Sequence, residues 1–405
     1  MCNKKVGLET MDDILGYSDS NSVDNFVVET LDNLIKEAIL KNASDIHIEP
    51  FETKMRIRYR IDGCLYVIKN SNLNILETLI SRLKIISGMD ISEKRLPQDG
   101  NFKLNNQINC RVNTIPTIHG EKAVIRIIYA DNQNLNKNNL GFFKEDLDEL
   151  ERLFKSNHGA IIIAGPTGSG KTTTLGSFLK DLNQDEINIM TVEDPVENII
   201  DGVNQININP KINFDFPQSL RAILRQDPDI IMIGEIRDKI TAEIAVRSAI
   251  TGHLVLSTLH TNDAISSIIR LKDMSIENFM ISASVRGVIS QRLVRRLCNS
   301  CKRKARIKSD VAKMLNLESG IFIYESVGCD ECDNIGYKGR LAVYEYFLVD
   351  EKIKYFIDHD ETYEQIKKYL VQEKNFLSLR DNAVKNILIG NTSVDEVYKK
   401  IIFGE

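Results

Sequence analysis

The stretch that most constrains the fold of this chain is AIIIAGPTGSGKTTTLGSFLKDL, residues 160–182. An apolar run precedes the pattern G-x-x-x-x-G-K-T, which extends from Gly165 to Thr172, and a helical pattern follows it. Strand, glycine loop and helix in this order are the context that a phosphate-binding loop requires. The glycines allow backbone N–H groups to surround phosphate oxygens at the positive end of a helix. The sequence therefore predicts a nucleotide site.

This phosphate loop supplies most of the predicted nucleotide contacts. The Lys171 ammonium can reach the β- and γ-phosphates, and the Thr172 hydroxyl can bind Mg²⁺. The alternative is a glycine-rich turn with a chance lysine, which leaves the flanking strand and helix unexplained. The loop residues predicted to bind nucleotide are Gly165, Pro166, Thr167, Gly168, Ser169, Gly170, Lys171, Thr172 and Thr173.

Three more apolar runs, INIMTVED, DIIMIGE and HLVLSTLH, are typical of strands that are covered on both faces of a parallel sheet. They end in polar residues, namely Glu193 and Asp194, Glu235, and His260. Ligands collect at the carboxyl ends of parallel strands, so we expect these side chains beside the phosphate loop. Glu235 is the candidate general base for the attacking water. Each acid could instead be a solvated loop residue.

One feature of the DIIMIGE strand is unusual. Enzymes with this loop usually hold magnesium through an aspartate at the end of a nearby apolar strand. Here Gly234 stands next to Glu235. We therefore expect the metal-binding and water-positioning duties to be shared among several strand ends.

The rest of the chain divides by pattern into segments. Helical spacing from Val23 to Leu40, followed by short strands, indicates a small α+β domain. An asparagine-rich stretch that ends in glycine indicates a linker. The predicted segments are a loose leader (1–22), the N-terminal α+β domain (23–130), the linker (131–141) and an α/β domain (142–405), which includes a cysteine-bearing subdomain (296–335) and C-terminal helices (350–405).

A strand with three arginines lies in the N-terminal domain. In MRIRYRIDG, Arg56, Arg58 and Arg60 alternate with apolar residues, so the three guanidinium groups share one face of the strand. The simplest interpretation is a solvated face.

Four of the seven cysteines form two C-x-x-C pairs, CNSC and CDEC. Two such pairs predict a tetrahedral structural zinc site, and a redox pair is the alternative. The predicted zinc ligands are Cys298, Cys301, Cys329 and Cys332. The scattered Cys2, Cys64 and Cys110 are interpreted as packing or incidental residues.

Composition limits the function classes. The net charge of −5 gives no bulk reason to expect a nucleic-acid or anionic membrane partner. No apolar run is long enough to span a bilayer, and the first residues lack the apolar centre of a signal peptide. We expect a cytoplasmic protein that meets a membrane only through partners.

Together these motifs resemble those of the secretion ATPases that drive type II secretion, type IV pilus assembly and competence pseudopili. Four boxes that define this family occur in order: the phosphate loop (165–172), TVEDPVE (191–197), LRQDPDIIMIGEIRD (224–238) and TGHLVLSTLHTND (251–263). The resemblance continues upstream through ASDIHIEP, RIRYRIDG, RLPQDG and RVNTIPTIHGEKAVIRI.

The resemblance implies a fold and a set of site residues. The fold would be a RecA-like P-loop ATPase domain preceded by a PAS-like α+β domain, with a four-cysteine zinc-binding insertion. Glu235 would be the general base, with Glu193 and His260 also catalytic. Magnesium would be held by Thr172, Glu193 and Asp194, and Arg111 and Arg126 would reach the ATP phosphates. Arginine suits this task because its planar fork can bridge phosphate oxygens.

The resemblance also implies a function. The chain would form a homo-hexamer that hydrolyses ATP and drives an inner-membrane platform protein, so that a type IV pilus or a related pseudopilus is assembled. A type II secretion or competence motor is the alternative. The cysteines argue against a retraction motor, the acidic balance against a DNA translocase, and Glu235 against a scaffold that does not hydrolyse nucleotide. The leader is too short for the extra N-terminal domain of many members, and the chain would lie at the inner face of the cell membrane.

Overall fold

The computed structural model describes residues 20–105, 108–129 and 135–402. The chain divides into two compact units, residues 1–130 and 131–405. Most of the predicted leader, residues 131–134 of the predicted linker and Cys2 lie outside the described residues.

In the described residues of the first unit, a six-stranded antiparallel sheet carries two helices on one face. The strands lie in the order β3-β2-β1-β6-β5-β4. The predicted PAS-like character of this α+β unit stays a prediction. Its elements are α1 (Ser20–Leu40), β1 (Ala43–Pro50), β2 (Met55–Ile61), β3 (Cys64–Ser71), α2 (Leu76–Ile86), β4 (Gln98–Asn105), β5 (Ile108–Thr117) and β6 (Gly120–Tyr129).

Alternating side chains explain why this sheet has one apolar and one charged face. Ile46 and Ile48 on β1 and Ile57 and Tyr59 on β2 are buried among the residues of α1 and α2. Because successive residues of a strand point to opposite faces, the intervening charged residues share the other face. Burial of the apolar face determines which face meets the helices.

The charged face carries a buried carboxylate among three cations. Glu49 accepts hydrogen bonds from Arg58 at 2.7 Å and Arg56 at 3.1 Å, and Lys122 lies 3.1 Å away. Burial by itself raises the pKa of Glu49, but the hydrogen bonds from Arg58, Lys122 and Arg56 outweigh it and lower the pKa to about 2. The expectation of a solvated arginine face is wrong for Arg56 and Arg58, whose side chains are 31% and 22% exposed and contact Glu49.

Replacing Glu49 by glutamine tests this network. We expect the unfolding free energy of the chain to fall by about 2 kcal/mol at pH 7, as is usual for hydrogen bonds to a charged group. Because the folded-state pKa of Glu49 lies below its ordinary value of 4.5, its stabilising effect is present above pH 4.5 and is lost as the pH falls towards about 2. Urea unfolding at pH 7 and pH 3, followed by circular dichroism, measures both effects.

The matched control is Glu52→Gln, which changes an exposed glutamate in the turn after β1. We expect it to leave stability unchanged at either pH. A Glu49→Gln effect of equal size at pH 7 and pH 3 would contradict the ion-pair interpretation.

The second unit contains a seven-stranded sheet in the order β15-β12-β7-β11-β10-β8-β9, with β15 as the only antiparallel strand among the described residues. Its elements as far as β11 are α3 (Lys144–Phe154), β7 (Gly159–Ala164), α4 (Lys171–Leu182), β8 (Ile189–Glu193), β9 (Asn204–Asn207), α5 (Phe216–Ile223), β10 (Ile230–Ile233), α6 (Lys239–Ile250) and β11 (Leu254–Leu259). The remaining elements are α7 (Ile265–Asp273), α8 (Asn278–Ser284), β12 (Val285–Leu297), β13 (Arg303–Arg306), α9 (Ser309–Leu315), β14 (Phe322–Glu325), β15 (Tyr337–Leu348), α10 (Glu351–Asp358), α11 (Tyr363–Glu373), α12 (Leu379–Leu388) and α13 (Val394–Val397), followed by a π-helical turn (Tyr398–Ile402).

Helices cover both faces of this sheet. Every residue of β7, β8, β10 and β11 is buried, as the continuous apolar runs predict. One face packs in the core that includes α5 to α8, and the other packs in the core that includes α3 and α4. Because these four strands are parallel, their carboxyl ends lie at one edge of the sheet.

The described part of the predicted linker packs on the second unit. Leu135 is buried in the core that contains α3 and α4. The Lys137 ammonium pairs with Asp181 on α4 and lies 2.8 Å from Glu151 on α3. The backbone N–H of Ala342 on β15 donates to the carbonyl of Leu140 at 2.8 Å. Residues 135–141 therefore belong to the second unit.

Candidate nucleotide site and cysteine cluster

The phosphate loop has the predicted place between β7 and α4. Gly168 and Gly170 have φ angles of +77° and +85°, in the left-handed region that favours glycine. Pro166, Thr167 and Gly168 are exposed, whereas Ser169 and Lys171 are buried and Thr172 and Thr173 are half-buried in the first turn of α4. The tip of the loop is thus open to a ligand.

Lys171 folds back along the loop. Its ammonium donates hydrogen bonds to the carbonyls of Gly165 at 2.7 Å and Pro166 at 3.0 Å. Burial lowers the pKa of Lys171, and the negative charges of Glu235 and Glu197 act in the opposite direction. These two carboxylates therefore lie close enough to stabilise the buried ammonium.

Glu235 and His260 come together at the strand ends. The Nε2 atom of His260 lies 3.3 Å from Oε2 of Glu235, and Arg237 pairs with the other carboxylate oxygen. The Thr258 hydroxyl donates to the Gly234 carbonyl at 2.6 Å, and this bond joins the ends of β10 and β11. Glu235 is 13% exposed, which leaves it accessible from solvent.

Glu193, one of the predicted magnesium ligands, is hydrogen-bonded at the end of β8. Its Oε1 atom accepts hydrogen bonds from the Thr191 hydroxyl at 2.6 Å and the Gln205 amide at 3.1 Å. Burial raises the pKa of Glu193, although these hydrogen bonds act against the rise. The carboxylate is thus engaged within the β8–β9 edge of the sheet.

The backbone at the end of β8 packs closely against Gly234. A Cβ atom on residue 234 would lie 3.3 Å from both Cα of Glu193 and the carbonyl oxygen of Val192. It would also lie 3.7 Å from Cγ of Glu193. A side chain at this position would therefore crowd the backbone of β8.

Two acids of the TVEDPVE box follow β8 and are exposed. Asp194 is exposed, and its charge contributes, after that of Glu235, to raising the pKa of Arg237. Glu197 is also exposed and acts on Lys171. No role is predicted for Glu197 from the sequence. The one indication in the sequence is that Glu197 is the last residue of the TVEDPVE box. The direction of an acidic side chain in a loop cannot be predicted from sequence periodicity.

Arg111 and Arg126 lie opposite each other on β5 and β6 of the first unit. The Arg126 Nε atom donates to Asp45 at 2.9 Å, yet 68% of its side chain stays exposed. Arg111 is exposed as well. Their assignment to the ATP phosphates stays a prediction.

The four predicted zinc ligands form one cluster, which we call the cysteine cluster. Their sulfur atoms all lie within 4.8 Å of one another. The Sγ–Sγ distances are 3.9 Å for Cys298–Cys329 and 3.8 Å for both Cys301–Cys332 and Cys329–Cys332. Four thiolates at about 2.3 Å around a tetrahedral Zn²⁺ are about 3.8 Å apart, so the geometry is compatible with zinc.

Backbone groups prepare the cysteine cluster for a cation. N–H groups of Cys329 and Gly336 donate to the Cys332 sulfur, each at 3.2 Å, and Gly328 donates to Cys301 at 3.3 Å. Although burial opposes the change, the hydrogen bonds from Cys329 and Gly336 lower the pKa of Cys332 to about 7. Thiolate is the form that binds metal.

A parallel α/β sheet that carries a phosphate loop, with a glutamate at a neighbouring strand end, defines a P-loop ATPase domain. Residues 20–399 match the family described as Type II/IV secretion system protein, and the chain belongs to this family. The predicted family, the mixed α/β fold and the ATPase class are confirmed.

Named relatives cover nearly the whole chain. It is 42% identical to the type II secretion system protein E of Dickeya dadantii, over 97% of this chain and 78% of that protein. It is 42% identical to the type II secretion system ATPase E of Vibrio cholerae, over 92% of this chain and 75% of the relative. It is 40% identical to the type IV pilus assembly ATPase TfpB of Acinetobacter baylyi, over 98% of this chain and 69% of the relative.

Solved structures support the fold. A crystal structure of the pilus retraction motor PilT with bound ADP is 27% identical, with a TM-score of 0.63, and covers 91% of this chain and 95% of that one. The ATPase DotB of Legionella pneumophila, at 22% identity, has a TM-score of 0.68 and covers 93% and 96% of the two chains. Within the described residues, no helix combines the length and apolarity that a membrane span needs.

Replacing Gly234 by aspartate tests the packing account of this position. We expect the variant to lose about 1–3 kcal/mol of stability through overpacking against Glu193 and to hydrolyse ATP more slowly than the wild type. Gly234→Ala should show smaller losses of both, because it adds a single methyl group. Thermal unfolding and steady-state ATPase rates provide the measurements.

Lys239→Asp is the control, since it adds a carboxylate at an exposed position nearby in the chain, at the first residue of α6. We expect it to unfold at the wild-type temperature. If Gly234→Asp matched the wild type in both rate and stability, the packing account would be wrong.

Proposed function

We propose that this chain is an ATP-hydrolysing motor of a type IV pilus or related pseudopilus. As a homo-hexamer it drives an inner-membrane platform protein, and it reaches the membrane only through partners. The carrying observation is that Glu235 lies 3.3 Å from His260, pairs with Arg237 and acts on Lys171 of the phosphate loop. The family to which the chain belongs supports the same function.

The proposed chemistry is the attack of water on the γ-phosphate of ATP. The phosphate loop binds the β- and γ-phosphates through backbone N–H groups, and Lys171 exchanges its loop carbonyls for phosphate oxygens. The Glu235 carboxylate accepts the proton of the attacking water. His260 and Arg237 hold this carboxylate in place.

Magnesium would neutralise part of the phosphate charge when it is bound. The chain offers the Thr172 hydroxyl and the exposed Asp194 carboxylate as ligands. Glu193, the third predicted ligand, is hydrogen-bonded to Thr191 and Gln205. Its direct binding to the ion would require exchange of those bonds, so we propose Thr172 and Asp194 as the primary ligands.

Type II secretion is the second candidate function. The relatives named as type II secretion ATPases are 42% identical and the pilus assembly relative is 40% identical. For pilus assembly and for type II secretion, the proposed mechanical step is the same: ATP hydrolysis drives an inner-membrane platform protein. A retraction motor is disfavoured by the cysteine cluster, and a nucleic-acid substrate by the net charge of −5.

Glu235→Gln tests the assignment of the general base. We expect the variant to bind ATP with an affinity close to that of the wild type, because the phosphate loop is unchanged. Its hydrolysis rate should fall about 100-fold or more, the usual contribution of a general base. Binding of a fluorescent ATP analogue and phosphate release under saturating ATP separate the two effects.

Glu243→Gln on α6 is the control, since Glu243 pairs with Arg247 on its own helix and lies outside the nucleotide site. It should hydrolyse ATP at the wild-type rate. Hydrolysis by Glu235→Gln that is no slower than that of the wild type would rule out Glu235 as the base.

We also propose that the cysteine cluster binds a structural zinc ion. All four ligand positions of a tetrahedral ion are filled by protein sulfur atoms, which leaves no position for a substrate. The two-stranded sheet of β13 and β14 lies between the two cysteine pairs in the chain. The ion would therefore close the base of this subdomain.

The purified chain should contain about one zinc ion per subunit, because the four thiolates complete one tetrahedral site. Cys298→Ser should lower the zinc content and the thermal stability of the chain. Cys64→Ser, which changes a cysteine of the first unit, should keep the zinc content of the wild type. Elemental analysis after gel filtration measures both, and zinc that is lost from the wild type on washing would contradict a structural site.

A further inference from the structure

A buried glutamine on β12 contacts the phosphate loop from behind. Gln291 is fully buried, and its side-chain amide donates a hydrogen bond to the Ser169 carbonyl at 2.8 Å. Its side-chain oxygen accepts a hydrogen bond from the Thr174 hydroxyl at 3.0 Å. One side chain thus joins the loop to the first turn of α4.

Both glycines at the ends of the G-x-x-x-x-G pattern pack on the same residue. A Cβ atom on Gly165 would lie 2.4 Å from the backbone oxygen of Gln291. A Cβ atom on Gly170 would lie 3.3 Å from the Gln291 amide nitrogen. Gln291 therefore packs closely against the loop at both of its ends, and a side chain at either glycine would crowd it.

The bond to Ser169 has a consequence for phosphate binding. The peptide between Ser169 and Gly170 is planar and trans, so its carbonyl and its N–H point in opposite directions. When Gln291 holds the Ser169 carbonyl towards β12, the Gly170 N–H must face away from β12. Backbone N–H groups of this loop are the donors that surround a bound phosphate.

The residue type also fits this task. The Ser169 carbonyl lies beside buried side chains, and a buried carbonyl without a donor costs about 1–3 kcal/mol. A leucine or methionine on β12 would fill the same space without donating. Glutamine supplies a donor for Ser169 and an acceptor for Thr174 at once.

We propose that Gln291 is a positioning residue for nucleotide binding: it orients the Ser169–Gly170 peptide so that the loop is preorganised for phosphate. This inference rests on the proposed nucleotide site. It assigns to β12 a contribution that none of the four family boxes in this sequence contains. Gln291 itself does not touch the nucleotide.

Gln291→Met tests the proposal, because methionine has a similar size and cannot hydrogen-bond to Ser169. We expect the dissociation constant for Mg·ADP to rise about 10- to 100-fold, as for a lost hydrogen bond that leaves a buried group unpaired. Thr174→Val removes only the bond that orients the Gln291 oxygen, and we expect a smaller rise than for Gln291→Met. Isothermal titration with Mg·ADP measures both, and thermal unfolding checks the fold of each variant.

Asn386→Leu is the matched control for the loss of a buried amide. Asn386 is fully buried on α12, where its amide bonds to Asn382 and Asn391. We expect this variant to be destabilised but to bind Mg·ADP within about twofold of the wild type, because it leaves the loop unchanged. Equal weakening of Mg·ADP binding by Asn386→Leu and Gln291→Met would overturn the proposal.

Other outcomes separate this inference from the proposed function. A folded Gln291→Met variant with wild-type affinity for Mg·ADP would overturn the positioning role and leave the ATPase proposal intact. A wild-type chain that binds no Mg·ADP would overturn the proposed nucleotide site itself. If Gln291→Met does not fold, Thr174→Val decides, and wild-type affinity in that variant would count against the role.

Discussion

The parallel pairing of β7 with β11 on one side and β12 on the other is the constraint on which the nucleotide site depends. Ala164, the last residue of β7, lies opposite Leu259 of β11 and Ser290 of β12. The phosphate loop, His260 and Gln291 each follow one of these residues directly in the chain. This register therefore brings the phosphate loop, His260 and Gln291 to one edge of the sheet, although they lie far apart in sequence.

Charge at this edge is arranged around one buried ammonium. Lys171 is buried, where its ammonium donates to the carbonyls of Gly165 and Pro166 and the charges of Glu235 and Glu197 oppose the effect of burial on its pKa. Glu193 is not paired with a cation in this way. Its carboxylate accepts hydrogen bonds from the neutral side chains of Thr191 and Gln205, and its backbone lies against Gly234. The glycine is thus no defect of the site. The close approach of the β8 backbone favours a residue without a side chain at the end of β10.

The same contrast between local pattern and distant partner applies to the first unit. The period-two spacing of Arg56, Arg58 and Arg60 places them on one face of β2. It does not indicate that Glu49 accepts hydrogen bonds from two of them or that Lys122 lies beside the same carboxylate. Since ion pairing across strands depends on sheet register, an arginine face that looks solvated in sequence is partly buried in the fold.

The sequence by itself determined the phosphate loop, the apolar strands, the polar residues at their ends and the four cysteines, because each of these is a pattern of neighbouring residues. Only the tertiary structure decided how those residues are used. It joined Glu193 to Thr191 and Gln205 by hydrogen bonds, packed the end of the linker on the second unit and placed Gln291 against the phosphate loop. These outcomes depend on strand order, register and side-chain direction, which arise from contacts between distant segments and leave no period in the sequence.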